Sequence, residues 1–593
     1  MDRRTAPQAL ASVALAFILA GCGVSPTPTP AGSPAPPATA APTVAPTAGP
    51  TEAPTSSPTP TPTPAPGLLR PGSVAVTVSD QLVVRSQPRV SDDSTIYRPY
   101  LPTGTELLVI GGPVAASGYR WYHVTPIDVS LDGGVTEGWV AVAARDGTPW
   151  VAALEGPLAD LALAKSSVPR ASAPASAAKT AAASINAFGL DLYRRLLADT
   201  SFCLAKENVV FSPTSIVIAL AMARAGAKDE TATQIDAVLH TSGWDELGTG
   251  LNALDRALAS RSGTFEDLDG NKLEVLLRLA NAPFVQRDLP IVAAYLDALA
   301  SAFGAGLRLV DYKADPEAAR QTINAWVKKQ TSSRIPELLL PPDLDDTTRV
   351  VLVNALYLKA PWLDSFRVED TKPGRFTRLD GSRVSVPMMS LVECSGGCHL
   401  PYAAGAGWRA VELPFLRDMY SEEPAGLAMT VIVPDDLAAF EKQLAPKLLA
   451  GITRALLAGP PGGEGGPDDP GTVYDVRLTM PRFGVETRFD LAKALSSIGM
   501  PLAFSPATAD FSGIASPPEG PLYISKVIHQ ANIDVDEKGT EAAAATAIVM
   551  MAGGGPNTIP ITFTVDRPFL FLLRDTQTGA VLFMGRVVDP SAT

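Results

Sequence analysis

The distribution of apolar residues changes character several times along the chain. Ala9 to Ala20 is a continuous apolar stretch behind Arg3 and Arg4. It is too short to span a bilayer and fits the core of a secretory signal, so residues 1–22 are expected to be a leader. From Gly23 to Gly67 the chain is almost purely Pro, Thr, Ala and Ser, ending near PTPTPTPAP. Such a segment has little to bury against its ordering entropy, and its prolines favour extended backbone; residues 23–67 read as a semi-rigid stalk. Over residues 68–153 the short runs VAVTV, LVVRS, TELLVI, WYHVTPI and EGWVAV are separated by Gly, Pro, Asp and Ser, which predicts a small all-β barrel. A Ser- and Ala-rich stretch, AKSSVPRASAPASAAKTAAAS, then predicts a linker over 154–181. Beyond it the period shifts. INAFGLDLYRRLL carries apolar residues at helical spacing, and VYDVRLTMPRFGVETRFDLAKAL passes from alternation into a helix. Residues 182–593 are therefore expected to form a mixed α+β domain.

At 593 residues the chain is long enough for two or more units, and 46% hydrophobic residues suffice for a real core. The net charge of −13 argues against nucleic acid as a partner, because no basic field collects phosphates. The four histidines (His123, His240, His399, His529) are scattered, and neither a Gly-x-Ser-x-Gly elbow nor a His-Glu-x-x-His pair occurs. The glycines of Gly459–Gly471 lack the Lys-Ser/Thr ending of a phosphate loop. No cofactor or metal is expected, and the chain does not read as an enzyme. An exported chain can oxidise Cys394 and Cys398 of ECSGGC to a small-loop disulfide, although spacing alone establishes neither that pairing nor a metal site.

One stretch resists a helical reading. DVDEKGTEAAAATAIVMMAGGG (Asp534–Gly555) holds four alanines in a row, yet no apolar stripe surrounds them and Thr540 and Thr546 bracket them. Family resemblances give it a meaning. The leader ends in LAGC, which resembles the bacterial lipoprotein signal and implies lipidation of Cys22 and an extracytoplasmic, membrane-anchored protein. LVVRSQP, LPTGTELLVI, RWYHV and GWV resemble, in that order, a bacterial SH3-like domain. That resemblance implies either a spacer or a domain with a cell-wall ligand, Trp121, Tyr122 and Trp139 being core residues or the lining of a groove. VVFSPTSI, INAWVKKQTSSRIPELL, VLVNALYLKAPW, VSVPMMS, MTVIVPDD, LTMPRFGVETRFDLAKALSSIGMPLAF, ISKVIHQANIDVDEKGTEAAAATA and DRPFLFLLRDTQTGAVLFMGRVVDP look like serpin segments in the family's order.

The serpin resemblance implies a large central β-sheet, surrounding helices and an exposed reactive loop. A target serine protease, or secondarily a cysteine protease, cleaves that loop and is carried off as a covalent acyl-enzyme when the loop inserts into the sheet. The hinge would comprise Glu537, Gly539, Thr540, Glu541, Ala542, Ala543, Ala544, Ala545 and Thr546. Side chains of an inserting strand alternate between faces, so Thr540, Ala542, Ala544 and Thr546 would slip beneath the sheet while Glu541 stays outside. Counting forward from Gly539 places the scissile bond at Gly553–Gly554, with Ala552–Gly553 next to it; counting back from Pro568 places it at Asn557–Thr558. The absence of Arg and Lys between Glu541 and Asp566 suits elastase- or subtilisin-like enzymes better than trypsin-like ones. The resemblance also implies a shutter of Ser212, Ser215, Asn354 and His529 beneath the sheet and an aromatic residue, Trp362, at its top, the breach. The alternative is a non-inhibitory surface protein that keeps the serpin fold and binds cell wall through its SH3-like domain; the intact GTEAAAAT hinge speaks against it.

Overall fold

The computed structural model describes residues 69–592 except 128, 130, 132–134, 160, 200–203, 267–270, 393, 395–397, 418–425, 461–471, 519 and 541–556. By internal contacts residues 65–593 form one compact unit, separate from residues 1–64. Cys22 and the stalk lie outside the described residues.

The N-terminal β module contains β1 (Val74–Thr77), β2 (Leu82–Arg85), β3 (Ile96–Leu101), β4 (Glu106–Ala116), β5 (Tyr119–Pro126), β6 (Gly138–Ala141) and β7 (Val151–Ala153). These short alternating strands make one seven-stranded sheet, ordered β3-β2-β6-β5-β4-β1-β7. The expected barrel is not closed: β3 and β7 are the two ends of the sheet and do not pair with each other. Trp121 and Tyr122 are buried, whereas Trp139 is half-buried and stacks on His123 at 4.8 Å. The stretch 154–181, expected to be a linker, is structured. It contains β8 (Ala162–Ala164) and the first turns of α1 (Ala175–Ala198), because Leu158, Leu161 and Leu163 find an apolar surface to cover.

The body continues with β9 (Val209–Phe211), α2 (Pro213–Arg224), α3 (Asp229–Val238), α4 (Trp244–Ala259), β10 (Gly263–Glu266) and β11 (Lys272–Gln286). Next come α5 (Ala293–Phe303), β12 (Leu307–Val310), α6 (Pro316–Gln330) and β13 (Val350–Pro361). Then follow β14 (Lys372–Thr377), β15 (Arg383–Leu391), β16 (Tyr402–Gly405), β17 (Trp408–Pro414), β18 (Leu427–Pro434), α7 (Leu437–Gln443) and α8 (Pro446–Ala458). The chain ends with β19 (Thr472–Pro481), β20 (Phe483–Asp490), α9 (Ala492–Ile498), β21 (Val527–Val535), β22 (Gly539–Thr540), β23 (Asn557–Thr564), β24 (Phe569–Asp575) and β25 (Val581–Val587). The central sheet runs β20-β21-β13-β11-β12-β8. Two further sheets, β14-β15-β19-β23 and β16-β17-β18-β24-β25-β9, complete the body.

The sequence of β13, VVLVNALYLKAP, is nearly continuous in apolar residues because both faces of the strand are covered. Leu352, Leu356, Leu358 and Ala360 face the main core beside α2, whereas Val351, Val353 and Ala355 face a second core beneath α6. That helix starts on a local signal: Asp315 caps it by accepting from the Ala318 amide at 2.9 Å, and Pro316 opens its first turn.

Candidate functional site: an open seam in the central sheet

The parallel strands β13 and β21 pair only at Leu352–Asn354 against Val527–His529. Above that point they part. The narrow cleft between them is lined by Leu356, Tyr357 and Leu358 on one side and Asn532, Ile533 and Asp534 on the other. The segment after α6 crosses it: Thr331, Arg334 and Ile335 line the cleft, and Arg334 reaches Asp534 at 2.9 Å. A sheet that leaves backbone donors and acceptors unpaired along such a seam can pair with one more strand once its two edges separate.

The chain at the head of the seam already begins to fill it. After β21 a tight turn brings the Lys538 and Gly539 amides onto Asp536 Oδ1, at 2.8 and 3.2 Å. Strand β22 then pairs antiparallel with β13, Thr540 against Ala360 and Gly539 against Pro361. Gly539 has φ +142, and a Cβ there would stand 2.1 Å from the Ala360 carbonyl oxygen, so only glycine fits. Thr540 is buried, and its hydroxyl accepts from the Ala360 amide at 3.2 Å. Trp362, 2% exposed, stacks on Phe415 at 4.5 Å and donates from its indole to the Asp536 carbonyl at 3.0 Å. Glu537 accepts from Thr371 Oγ1 at 2.7 Å and from Arg482 at 2.6 Å through both oxygens. Burial pushes its carboxyl up, but these donors outweigh the burial and hold it below the usual range. The start of the loop is thus latched by a charged side chain and an aromatic one.

At the foot of the seam a polar row crosses the sheet in register: Asn281 on β11 opposite Asn354 on β13, and Asn354 opposite His529 on β21. His529 Nδ1 donates to Asn354 Oδ1 at 2.5 Å, and its Nε2 accepts from the Ser212 amide at 3.0 Å. Both ring nitrogens are therefore satisfied in the neutral state, and burial pushes the imidazole pKa down to about 3. Ser212, the N-cap of α2, accepts from the Ser215 amide at 3.1 Å, and Ser215 Oγ faces Asn281 Oδ1 at 3.0 Å and Asn354 Oδ1 at 3.4 Å. The side-chain amide nitrogens of Asn281 and Asn354 are buried without a partner, so the network retains donor capacity.

An open seam, a two-residue strand paired at its head and a polar row at its foot thus lie along one line of the central sheet. A family profile, "Serpin (serine protease inhibitor)", matches residues 183–590. The chain belongs to the serpin family. A leukocyte elastase inhibitor of Bos taurus is 33% identical over 416 residues, covering 69% of this chain and 99% of that protein. An uncharacterized serpin-like protein of Thermococcus kodakarensis is 34% identical over 409 residues, covering 69% and 85%. Among solved structures, the native state of the thermophilic serpin tengpin aligns with a TM-score of 0.56 at 25% identity, over 68% of this chain and 93% of that one. Native, stressed Arabidopsis AtSerpin1 gives a TM-score of 0.55 at 26% identity, over 70% and 99%. As a serpin the chain belongs to a family of protease inhibitors and is not an enzyme.

The structure brings Ser212, Ser215, Asn354 and His529 together, and it places Trp362, Glu537, Gly539 and Thr540 at the head of the seam. Glu541, Ala542, Ala543, Ala544, Ala545, Thr546, Ala552, Gly553 and Gly554 lie outside the described residues. Asn557 and Thr558, the other candidate bond, are exposed at the start of β23, where they pair with Thr472 and Val473. Cys394 and Cys398 form a disulfide. Sequence reasoning missed Asn281, Phe415 and the Arg482 and Thr371 partners of Glu537. Asn281 had a signal, a lone amide within the apolar run LLRLANAPFV; the others had none.

Proposed function

We propose that this serpin is a suicide inhibitor of extracellular serine proteases, tethered to a membrane through Cys22. The observation that carries the reading is the β22–β13 register. Continued residue by residue, the pairing of Thr540 with Ala360 sets Met550 against Val350, so a loop inserted as a strand spans the whole of β13. Gly553–Gly554 then lies just past the foot of the sheet. The protease's serine oxygen forms an ester with the Gly553 carbonyl as the peptide bond breaks and the Gly554 amine leaves with a proton. Insertion then draws the acyl-enzyme roughly 40 Å, at about 3.3 Å per residue. Native serpins of this design hold their free energy behind a kinetic barrier. The small and apolar loop residues favour an elastase- or subtilisin-like enzyme, and the name of the Bos taurus relative supports the same class. Cysteine proteases are secondary targets. The LAGC signal and the stalk support a lipid anchor outside the cytoplasm, and the order of motifs in the β module supports an SH3-like origin for it.

Incubation with elastase- and subtilisin-type proteases should yield an adduct that survives boiling in detergent, with release of a fragment beginning at Gly554. Clean cleavage with no adduct across a broad serine-protease panel would refute the reading.

A further inference from the structure

The β module is not hung from the serpin body; it shares a core with it. Val74, Leu108, Ile127, Leu161 and Leu163 belong to one buried cluster with Phe284, Val310, Ile323, Trp326 and Val327. At the centre of this contact stands a carboxylate. Glu106, on β4 and 3% exposed, accepts from Arg308 of β12 at 3.0 Å and from Lys329 and Gln330 of α6 at 3.2 and 3.4 Å. Burial pushes the Glu106 carboxyl up, but the Arg308 and Lys329 charges outweigh it and hold it below its ordinary range. Arg308 is 4% exposed and lies over the Trp326 ring at 4.5 Å, and its Nε and Nη1 have no hydrogen-bond partner, so Glu106 is its anchor. Thr322 of α6 also donates to the Pro157 carbonyl at 2.7 Å, and Ala162 of β8 bridges to Ser73 beside β1.

These ties join two parts that must move apart. The cleft that receives the loop is crossed by Thr331, Arg334 and Ile335, directly after Lys329 and Gln330, and Thr331 Oγ1 donates to the Val327 carbonyl while accepting from the Ile335 amide. A strand entering between β13 and β21 passes beneath this segment, so α6 and its C-terminal extension have to lift from the sheet. Glu106 holds the last turn of α6 and the β12 strand of that sheet at once. We infer that the N-terminal β module is an intramolecular brake on loop insertion, acting through Glu106 to pin α6 against β12. The inference rests on the insertion mechanism proposed above. It makes the module a regulator of the inhibitor's metastable state: whatever loosened its grip would speed insertion.

The test uses the full-length protein and a synthetic peptide of this chain's own Thr540–Ala552, which competes for the seam. Wild type should bind it slowly, with a gain in melting temperature as the sheet fills. Lys329→Met removes one of the two α6 ties to Glu106 and should bind it about fivefold faster; Glu106→Gln weakens the anchor of α6 and β12 together and should bind it more than tenfold faster. If wild type takes up no peptide, the insertion mechanism and the brake fall together. If wild type takes it up and both variants match it within twofold, or are slower, the module is a static support and the brake alone is refuted. Lys329 keeps 29% of its side chain in solvent, so Lys329→Met tests the tie without stranding a buried charge.

Discussion

Replacing Ala544 with glutamate separates a loop that inserts from one that is merely cut. Position 544 lies in the chain between β22 and β23, and a charge there should leave the native fold intact. Continued along β13, the register of Thr540 on Ala360 brings residue 544 opposite Leu356, on the face of the main core. Directly opposed residues share a face. Among the described residues no cation lines the seam on that side: its walls there are Leu356, Leu358, Ile533, Leu573 and Phe583. The new carboxyl must therefore enter neutral. Keeping a glutamic acid protonated at pH 7 against a reference pKa of about 4.3 costs about 3.7 kcal/mol. Burying the acid without a partner adds about 1–3 kcal/mol. A barrier raised by about 5–7 kcal/mol slows insertion by more than about a thousandfold, long enough for the acyl-enzyme to hydrolyse. Ala544→Glu should be cleaved at the wild-type bond, leave the protease active, and lack the rise in melting temperature that follows cleavage of wild type. The control is Glu541→Lys. Residue 541 would lie opposite Lys359, which is partly exposed and paired with Glu274 at 3.0 Å, so the change costs at most about 1 kcal/mol and inhibition should persist. Equal loss of adduct in both variants, or in neither, would refute alternating burial as the reason for the small residues.

His529 is neutral in the native state down to pH about 3 but takes a proton near pH 6.5 when unfolded, so the unfolded chain binds more protons between those values. Native stability should be undiminished above pH 6.5 and fall by about 1.4 kcal/mol per unit as pH drops below it. His529→Gln should flatten that limb in denaturant titrations, and parallel acid limbs would refute the assignment. Gly539→Ala sets a methyl against the Ala360 carbonyl and should break the β22–β13 pairing, costing about 1–3 kcal/mol and lowering the yield of adduct; a wild-type melting curve and yield would refute the close approach. Cys22→Ser should move the protein from the membrane fraction to the soluble extracytoplasmic fraction, and retention on membranes would refute the lipid anchor.

What the amino-acid pattern determined is what local chemistry can carry. Asp315 before Pro316 starts α6, and the apolar run of β13 marks a strand covered on both faces. The ordered serpin segments named the fold, and with it Ser212, Ser215, Asn354 and His529, because these residues sit within recognisable stretches. Small residues from Thr540 to Thr546 point to a strand that must enter a packed sheet, yet alternation explains only half of them. The other half needed the tertiary structure. Residues 543 and 545 would come opposite Tyr357 and Ala355, both buried on the face toward α6, so an inserted strand meets packed protein on either side and large side chains are excluded from both. Periodicity was also silent about the docking of the β module. Glu106 and Arg308 stand 202 residues apart, and each looks like an ordinary surface charge until the two meet in a buried contact. The AlaLeuAla of β8 is too short to register as a strand, and it becomes one because β12 offers it an open edge. A linker is indistinguishable from a docked segment while only neighbours in the chain are considered; the apolar face that captures it is assembled from β11, β12 and α6, and exists only once the central sheet has formed.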